Sequence, residues 1–286
     1  MIRIGTRGSA LAMAQARLVA TALPADSELV VVRTVGDASG RPIRELGDGA
    51  FVTALEDGLR AGEVDLAVHS LKDVPTGESD DLVIAAIMPR EDSRDVLITA
   101  ARRGLPSLGQ NALVGTSSPR RAAFMRTLRP DVQVTEIRGN VETRMRKVAS
   151  GEVDATLLAL AGLRRLGVPV AEDEILSTEA ILPAPGQGAL AVQCRASDGA
   201  LRAALARIDD PPTRLAVETE RMLLHELGAS CALALGALAI VADGRITLLA
   251  GLAADDAVTR VRVSGLDARE VADAAANKLR AVPHAA

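Results

Sequence analysis

Short apolar segments alternate along this chain with longer segments of helical spacing. Residues 64–68, apolar except for Asp65, form one such run, which predicts a buried strand that ends where His69 and the charged pair Lys72 and Asp73 begin. Strands that alternate with helices are typical of an α/β fold with largely parallel sheets. Adjacent charges are costly to bury without partners, and strand ends are where such folds bind ligands, so this end is a candidate site.

Two pairs of segments repeat one pattern and predict two lobes of similar architecture. Residues 2–9 and 113–118 each predict a strand, a Gly-Thr turn and a Ser that can cap the following helix. Gly-Glu-Val-Asp precedes an apolar strand at 62–65 and again at 151–154. Helix N-termini at such turns bind anions. Helix–Gly–strand turns are common in α/β proteins, so the repeat alone also fits two unrelated lobes.

The pattern also predicts how the chain divides into domains. After the prolines at 211–212 it predicts a helix, a hairpin around Asp243-Gly244 and a closing helix near 268–280. The expected domains are a first α/β lobe in residues 1–88 and 189–206, a second α/β lobe in 94–182, and a smaller α+β C-terminal domain in 211–286.

Composition narrows the classes of partner. Phe51 and Phe124 are the only aromatic residues and the formal net charge is −4, which disfavours nucleic-acid binding by base stacking. The N-terminus lacks an apolar signal segment, and no apolar stretch has the length of a membrane span. The two cysteines offer no disulfide framework or metal-site spacing. We expect a soluble, cytoplasmic protein with neither a metal nor a membrane partner.

Basic residues concentrate in one part of this acidic chain. Residues 116–147 include eight basic and three acidic residues, which gives a local net charge of +5. The planar guanidinium group of arginine binds carboxylates with two parallel hydrogen bonds, so the cluster suits a substrate with many carboxylates. Any one arginine is more often on a solvated helix face. The arginines at predicted strand ends and helix starts are Arg7, Arg120, Arg121, Arg138 and Arg144.

Asp73 and the cysteines are candidate reactive residues, but their positions in the sequence allow more than one interpretation. Asp73 fits a solvated strand-to-loop junction as well as a group that holds a cation or moves a proton. Cys231 lies on a predicted loop, where it could be a nucleophile, an attachment point or a small buried apolar residue. Cys194 is predicted to pack within a strand.

Motifs along about the first two-thirds of the chain resemble those of the porphobilinogen deaminase (hydroxymethylbilane synthase) family. They occur in the family's order, and Cys231 stands where the family keeps its cofactor cysteine. The motifs are IGTRGS at 4–9, HSLKDVP at 69–75, PRED at 89–92, GTSS at 115–118, RR at 120–121, RGNV at 138–141, AGLRRL at 161–166 and PGQGA at 185–189.

The resemblance implies a transferase of tetrapyrrole (haem) biosynthesis. Such an enzyme joins four porphobilinogen molecules head to tail into hydroxymethylbilane and releases ammonia at each step. It also implies two lobes like those of periplasmic binding proteins around a cleft, with a third, smaller domain. The growing chain is built on a dipyrromethane cofactor, which the resemblance places on Cys231 through a thioether.

The resemblance further implies roles for single residues. Asp73 matches the catalytic aspartate, which stabilises positive charge on pyrrole nitrogens and can move protons. Arginines bind the acetate and propionate groups that each pyrrole carries. Phe51 matches an aromatic on a loop near the cleft. The implied cofactor and substrate ligands are Arg7, Ser9, Ser70, Lys72, Thr116, Ser117, Ser118, Arg120, Arg121, Arg138, Arg144, Arg165 and Gln187.

Two loops depart from the family pattern. Ala229 and Ser230 replace two glycines before the cofactor cysteine, and Ala234 replaces a proline after it, which changes the loop that carries the thiol. Asp48 replaces a lysine in the loop that holds Phe51. Two alternatives therefore stay open beside the enzyme: a non-catalytic module that binds polycarboxylates, and a diverged deaminase that does not load cofactor.

Overall fold

The chain folds into two compact units. This computed structural model describes residues 1–32, 52–77, 79–228, 233–254 and 257–281. Unit 1 comprises Met1–Glu91 and Ala189–Leu215, and unit 2 comprises Asp92–Gly188 and Ala216–Ala286. The chain therefore leaves unit 1 after Glu91, returns to it after Gly188, and leaves it a second time after Leu215.

The described residues contain twelve strands and eight helices, with three short 3-10 turns between them. In chain order they are β1 (Ile2–Thr6), α1 (Ala10–Ala22), β2 (Ser27–Val31), α2 (Thr53–Arg60), β3 (Leu66–Ser70), β4 (Leu82–Ile87), β5 (Asp95–Thr99), β6 (Leu113–Gly115), α3 (Pro119–Leu128), β7 (Gln133–Thr135), α4 (Val141–Ala149), β8 (Ala155–Ala159), α5 (Leu160–Arg165), β9 (Leu190–Arg195), α6 (Gly199–Leu205), α7 (Pro211–Glu226), β10 (Leu235–Ala242), β11 (Arg245–Ala254), β12 (Ala257–Gly265) and α8 (Ala268–Arg280). None of the helices among these residues has the length and apolar character needed to cross a membrane.

Unit 1 is built on a five-stranded sheet in the order β2-β1-β3-β9-β4. Strand β3 explains why residues 66–68 are continuously apolar, because both faces of the sheet are covered. Leu66 and Val68 pack on the side of α1 and α6, whereas Ala67 packs on the side of α2. Strand β1 runs parallel to β2 and β3, while β9 is antiparallel to both of its neighbours.

Unit 2 combines a four-stranded sheet, in the order β5-β8-β6-β7, with the antiparallel sheet β10-β11-β12. Phe124 of α3 joins the two sheets, because it is buried in a cluster that also takes in apolar residues of β10, β11 and β12. Two glycines make room for its ring: a Cβ on Gly236 or Gly251 would lie 3.2 or 3.0 Å from Phe124 Cζ. Helix α8 packs on β11 and β12.

The repeated Gly-Glu-Val-Asp segments adopt the same structure in both units. Asp65 accepts from the backbone N–H of Arg3 at 2.8 Å, and its own N–H donates to the Arg3 carbonyl at 2.9 Å. Asp154 makes the same pair with Leu113, at 2.7 and 2.9 Å. Each aspartate therefore ties the start of its own strand to the start of a parallel neighbour.

The structure confirms the predicted helix caps and hairpin turn, whereas one strand and the antiparallel direction of two others were not predicted. Helices begin after the predicted caps, since Ser9 accepts from Ala12 N and Ser118 accepts from Arg121 N. The predicted hairpin turn has φ angles of 49° and 71° at Asp243 and Gly244, as a two-residue turn with positive φ at both positions requires. Strand β12 was not predicted. Strands β5 and β9 are antiparallel to their neighbours because each is the first strand after the chain changes unit, where no crossover helix imposes a parallel direction.

Candidate active site

The strand end that carries Asp73 forms a short 3-10 turn over Leu71–Asp73 in unit 1. Leu71 is buried and holds the turn in place, since its N–H donates to the Ala189 carbonyl at 3.0 Å. Lys72 is half-buried, and Asp73 is exposed. Asp73 has no ion pair or side-chain hydrogen bond within the described part of the chain, so its carboxylate is available to a ligand.

Ser70 directly precedes this turn, Ser9 directly precedes helix α1, and the hydroxyls of both contact α1. Ser70 Oγ lies 2.9 Å from Gln15 Nε2, and Ser9 Oγ accepts from the Ala12 N–H at 3.3 Å. Arg7, between β1 and α1, is half-buried. The two serines therefore fix the start and the packing of α1.

A buried polar chain lies on the other face of β3. His69 Nε2 lies 3.0 Å from Gln193 Oε1, and Gln193 Nε2 donates to Glu56 Oε1 of α2 at 3.0 Å. Burial lowers the pKa of His69 from 6.5 to about 4, against an opposing contribution from the bond to Gln193. His69 is therefore a neutral structural group at neutral pH.

In the Gly-Thr-Ser-Ser turn of unit 2, all three hydroxyl groups make hydrogen bonds to backbone groups. Thr116 Oγ1 accepts from the Ser118 N–H at 3.2 Å, and Ser118 Oγ accepts from the Arg121 N–H at 3.4 Å. Ser117 Oγ donates to the Ile137 carbonyl. The turn thus sets where α3 begins and which way its first two arginines leave the helix.

Asp95, the first residue of β5, binds three of the predicted ligands at once. Its Oδ1 accepts from Arg121 Nη2 at 2.7 Å and from Gln187 Nε2 at 2.9 Å. Its Oδ2 lies 2.8 Å from Arg120 Nη2. All four side chains are nearly inaccessible to solvent. Although burial alone would raise it, the charges of both arginines and these hydrogen bonds hold the pKa of Asp95 far below its usual range.

Arg144 lies near this cluster and has no acidic partner among the described residues. It stands on α4, where Asn140 caps the helix and Arg144 Nε donates to the Gly139 carbonyl at 2.9 Å. Burial and the charge of Arg121 lower the pKa of Arg144 to about 10. Arg121 Nε is itself buried without a hydrogen-bond partner. Two neighbouring cations with unused donors suit an acidic ligand.

The other predicted arginines bind elsewhere in unit 2. Arg138 pairs with Glu136 at 2.8 Å, and Arg165 Nη2 donates to the Gly188 carbonyl at 2.6 Å, next to Gln187. Cys231 and Phe51, and the substituted positions Asp48, Ala229 and Ser230, lie outside the described residues.

The sequence prediction missed Asp95 and Glu220. Glu220 of α7 is fully buried, and its two oxygens accept from Gly186 N at 2.7 Å and Ala239 N at 2.8 Å. It therefore holds the loop that carries Gln187 against β10. The only sequence signal for either residue was a charge within or beside a strongly apolar segment.

Comparisons with known proteins match nearly the whole chain. The family model described as porphobilinogen deaminase, dipyromethane cofactor binding domain, matches residues 2–203, and the model of the porphobilinogen deaminase C-terminal domain matches 214–281. A porphobilinogen deaminase of Mycobacterium leprae is 47% identical over 278 residues, 93% of this chain and 88% of that protein. One of Nocardia farcinica is 51% identical over 253 residues, 86% of this chain and 73% of that protein.

Solved structures with a similar backbone include a periplasmic binding protein. This protein of Salmonella typhimurium, described as highly specific for arginine, has a TM-score of 0.40 and 13% identity, covering 74% of this chain and 95% of that chain. The VFT2 domain of Bordetella pertussis BvgS has a TM-score of 0.40 and 15% identity, covering 72% of this chain and 85% of that one.

Proposed function

This chain belongs to the porphobilinogen deaminase family, and from that premise we propose how its own residues perform the reaction. The enzyme is a transferase that joins porphobilinogen molecules head to tail into hydroxymethylbilane and releases ammonia. Its dipyrromethane cofactor, when bound, supplies the pyrrole carbon to which the first substrate is added. Every other step is assigned to the protein's side chains.

The observation that carries the assignment is the pair Arg121 and Arg144. Both guanidinium groups keep donors that the described protein groups do not use, and both are shielded enough for a charge-assisted bond to be strong. The residues present therefore fit a cofactor and substrate that carry an acetate and a propionate on each pyrrole. We assign these two arginines to binding those carboxylates.

Asp73 is proposed as the catalytic carboxylate. Loss of ammonia leaves an electron-poor carbon on the substrate, and its attack by a pyrrole places positive charge on pyrrole nitrogen. A carboxylate held against the pyrrole N–H groups stabilises that charge, and it can also take up the proton that the new bond displaces. The exposure of Asp73 and the absence of an ionic partner within the described residues support this role.

The remaining predicted ligands divide by what their side chains already bind. Ser9, Thr116, Ser117 and Ser118 hold the two turns together, so we propose that they act by placing the arginines. Direct contact with the cofactor or substrate stays a prediction for Arg7, Ser70, Lys72, Arg120, Arg138, Arg165 and Gln187, and a place on a loop near the cleft stays a prediction for Phe51.

Cys231 is proposed to carry the cofactor through a thioether, and intact-mass spectrometry tests this directly. The purified protein should be heavier than its sequence by a two-pyrrole unit. Cys231→Ala should lose the added mass, whereas Cys194→Ala, which alters a buried cysteine of β9, should keep it. An unmodified mass after expression with ample porphobilinogen would favour the diverged deaminase that loads no cofactor.

We further propose that the enzyme acts in the cytoplasm as a monomer and without nucleic acid. The net charge of −4 and the near absence of aromatic side chains support the last point. Size-exclusion chromatography with light scattering should give a mass near 29.6 kDa plus the cofactor. A mass near twice that value would show a dimer.

A further inference from the structure

Three residues predicted as ligands converge on one buried carboxylate that no comparison or motif singled out. We propose that Asp95 is a positioning residue, which fixes the guanidinium group of Arg121 in the orientation that binds a substrate carboxylate. The proposal rests on the proposed function, since it concerns how that same anion site is set.

The contacts of Arg121 distinguish it from its neighbours. Arg120 reaches both Asp95 and the Leu182 carbonyl, and Gln187 Nε2 donates both to Asp95 and to the Ser93 carbonyl, the latter at 2.7 Å. Each of these two side chains would keep an anchor without Asp95. The Arg121 side chain has a single anchor among the described residues, the 2.7 Å bond to Asp95 Oδ1. Loss of Asp95 therefore releases Arg121 first.

The unpaired Nε of Arg121 indicates that Asp95 orients this guanidinium group toward a ligand. Its Nε is buried and has no hydrogen-bond partner, although Arg121 is only 6% exposed. An unpaired charged donor in such a place is unfavourable unless a ligand completes it. Arg144 adds a second positive charge next to it and has no acidic partner within the described residues. Asp95 thus holds one side of Arg121 while the other side remains for an anion.

Charge and geometry make opposite predictions for the loss of Asp95, which allows a decisive test. If Asp95 acted only as a counter-charge, its removal would make the cluster more positive and would strengthen the binding of acidic substrate. If Asp95 acts by holding Arg121, its removal weakens binding despite the gain in positive charge, because a long side chain must then be ordered when the substrate binds.

Asp95→Asn and Asp95→Glu separate the two roles. Asparagine removes the charge but keeps the shape, and glutamate keeps the charge but moves the carboxylate by one methylene. For both variants of the cofactor-loaded enzyme we expect the KM for porphobilinogen to rise about tenfold or more with kcat changed far less, the pattern of a lost binding interaction. Intact-mass spectra should also show a smaller fraction of chains that carry the two-pyrrole unit.

Glu174→Gln is the matched control. Glu174 is likewise a buried carboxylate of unit 2, paired with Arg102 and accepting from the Ala171 N–H, but it touches none of the predicted ligands. We expect it to lower the melting temperature as the Asp95 variants do and to leave KM and cofactor loading unchanged. Comparable KM increases in the control and in the Asp95 variants would show a general effect of destabilisation and would overturn the proposal.

Other outcomes overturn it as clearly. A KM in Asp95→Asn at or below that of the natural protein would assign Asp95 to charge balance, as would natural kinetics in Asp95→Glu. Failure of both variants to fold, when Glu174→Gln folds, would assign Asp95 to the fold alone. The proposed function fails by a different result, namely no turnover of porphobilinogen by the unaltered chain.

Discussion

Acidification should destabilise unit 1 through the imidazole of His69. The Gln193 amide donates to Glu56, so its oxygen faces His69 and can only accept, which places the proton of the neutral imidazole on Nε2. A second proton would have to enter a buried ring without a further described acceptor. This is the physical reason why burial lowers the pKa of His69 to about 4.

The sign and size of the effect follow from linkage. An unfolded chain binds a proton at His69 near the ordinary pKa of 6.5, whereas the folded chain binds it only near 4. The contribution of His69 to the free energy of unfolding is therefore complete above pH 6.5 and is lost as the pH falls from 6.5 to about 4. Since each pH unit is worth about 1.4 kcal/mol, the loss is about 2 kcal/mol between pH 7 and pH 5, and about 3 kcal/mol below pH 4.

Urea denaturation at pH 7.0, 6.0 and 5.0 measures this dependence. His69→Gln keeps a donor for the Gln193 oxygen but cannot titrate, so its free energy of unfolding should change much less across the window. His225→Gln, at an exposed histidine of α7, should retain the slope of the natural protein. The carboxylates whose pKa values are lowered, such as Asp65 from 3.8, titrate below this window and do not contribute.

Two results would refute this reasoning. A loss of less than about 0.5 kcal/mol between pH 7 and pH 5 in the natural protein would show that the folded pKa is near the ordinary one. An equal loss in His69→Gln would show that another group is responsible.

Three substitutions test the site and the packing that supports it. Asp73→Asn should keep the melting temperature and lower turnover about a hundredfold or more, because a neutral amide cannot stabilise positive charge on pyrrole nitrogen. Arg144→Met should leave a folded protein that stalls with partly extended pyrrole chains, visible as intermediate adducts by intact-mass spectrometry. Gly236→Ala should lower the free energy of unfolding by about 2 kcal/mol, because its Cβ would lie 2.6 Å from Leu182 Cβ.

Each of these substitutions has a matched control. Asp80→Asn removes an exposed carboxylate of unit 1 and should leave turnover unchanged, as Arg146→Met should on the exposed side of α4. Gly109→Ala adds a Cβ with nothing within 4 Å and should leave stability nearly unchanged. Near-normal turnover in Asp73→Asn would remove that residue from its role. Complete extension in Arg144→Met, or natural stability in Gly236→Ala, would contradict the other two assignments.

Features of this fold that depend on neighbouring residues could be predicted from the sequence. Ser9 and Ser118 cap helices because a short hydroxyl side chain can reach the N–H groups that begin a helix, and this needs only local sequence. Asp243-Gly244 specifies its own turn in the same way. Strand β12 escaped prediction because its valines are only partly buried, and its place is set by pairing with β11.

The network around Asp95 could not be derived in this way. Its partners Arg121 and Gln187 lie 26 and 92 residues further along the chain, and no spacing rule relates such positions. The motif residues themselves were predicted, but the sequence could not show which of them bind one another. Sequence analysis therefore singled out Arg120, Arg121 and Gln187 as candidate ligands and missed the carboxylate that contacts all three.

The position of β9 has a consequence for how the protein is made. This strand lies between β3 and β4 in the sheet, yet about a hundred residues of unit 2 are synthesised between β4 and β9. At about 5–20 residues per second, a ribosome needs on the order of ten seconds to supply it.

During that interval β3 and β4 each lack the partner that will pair with their inner edges, and unpaired edges associate readily with other chains. A nascent chain released just before Leu190 would contain Asp73 and every arginine assigned to the anion site, but no complete sheet in unit 1. Shielding of these two edges during translation should therefore raise the yield of active enzyme without changing the stability of the finished fold.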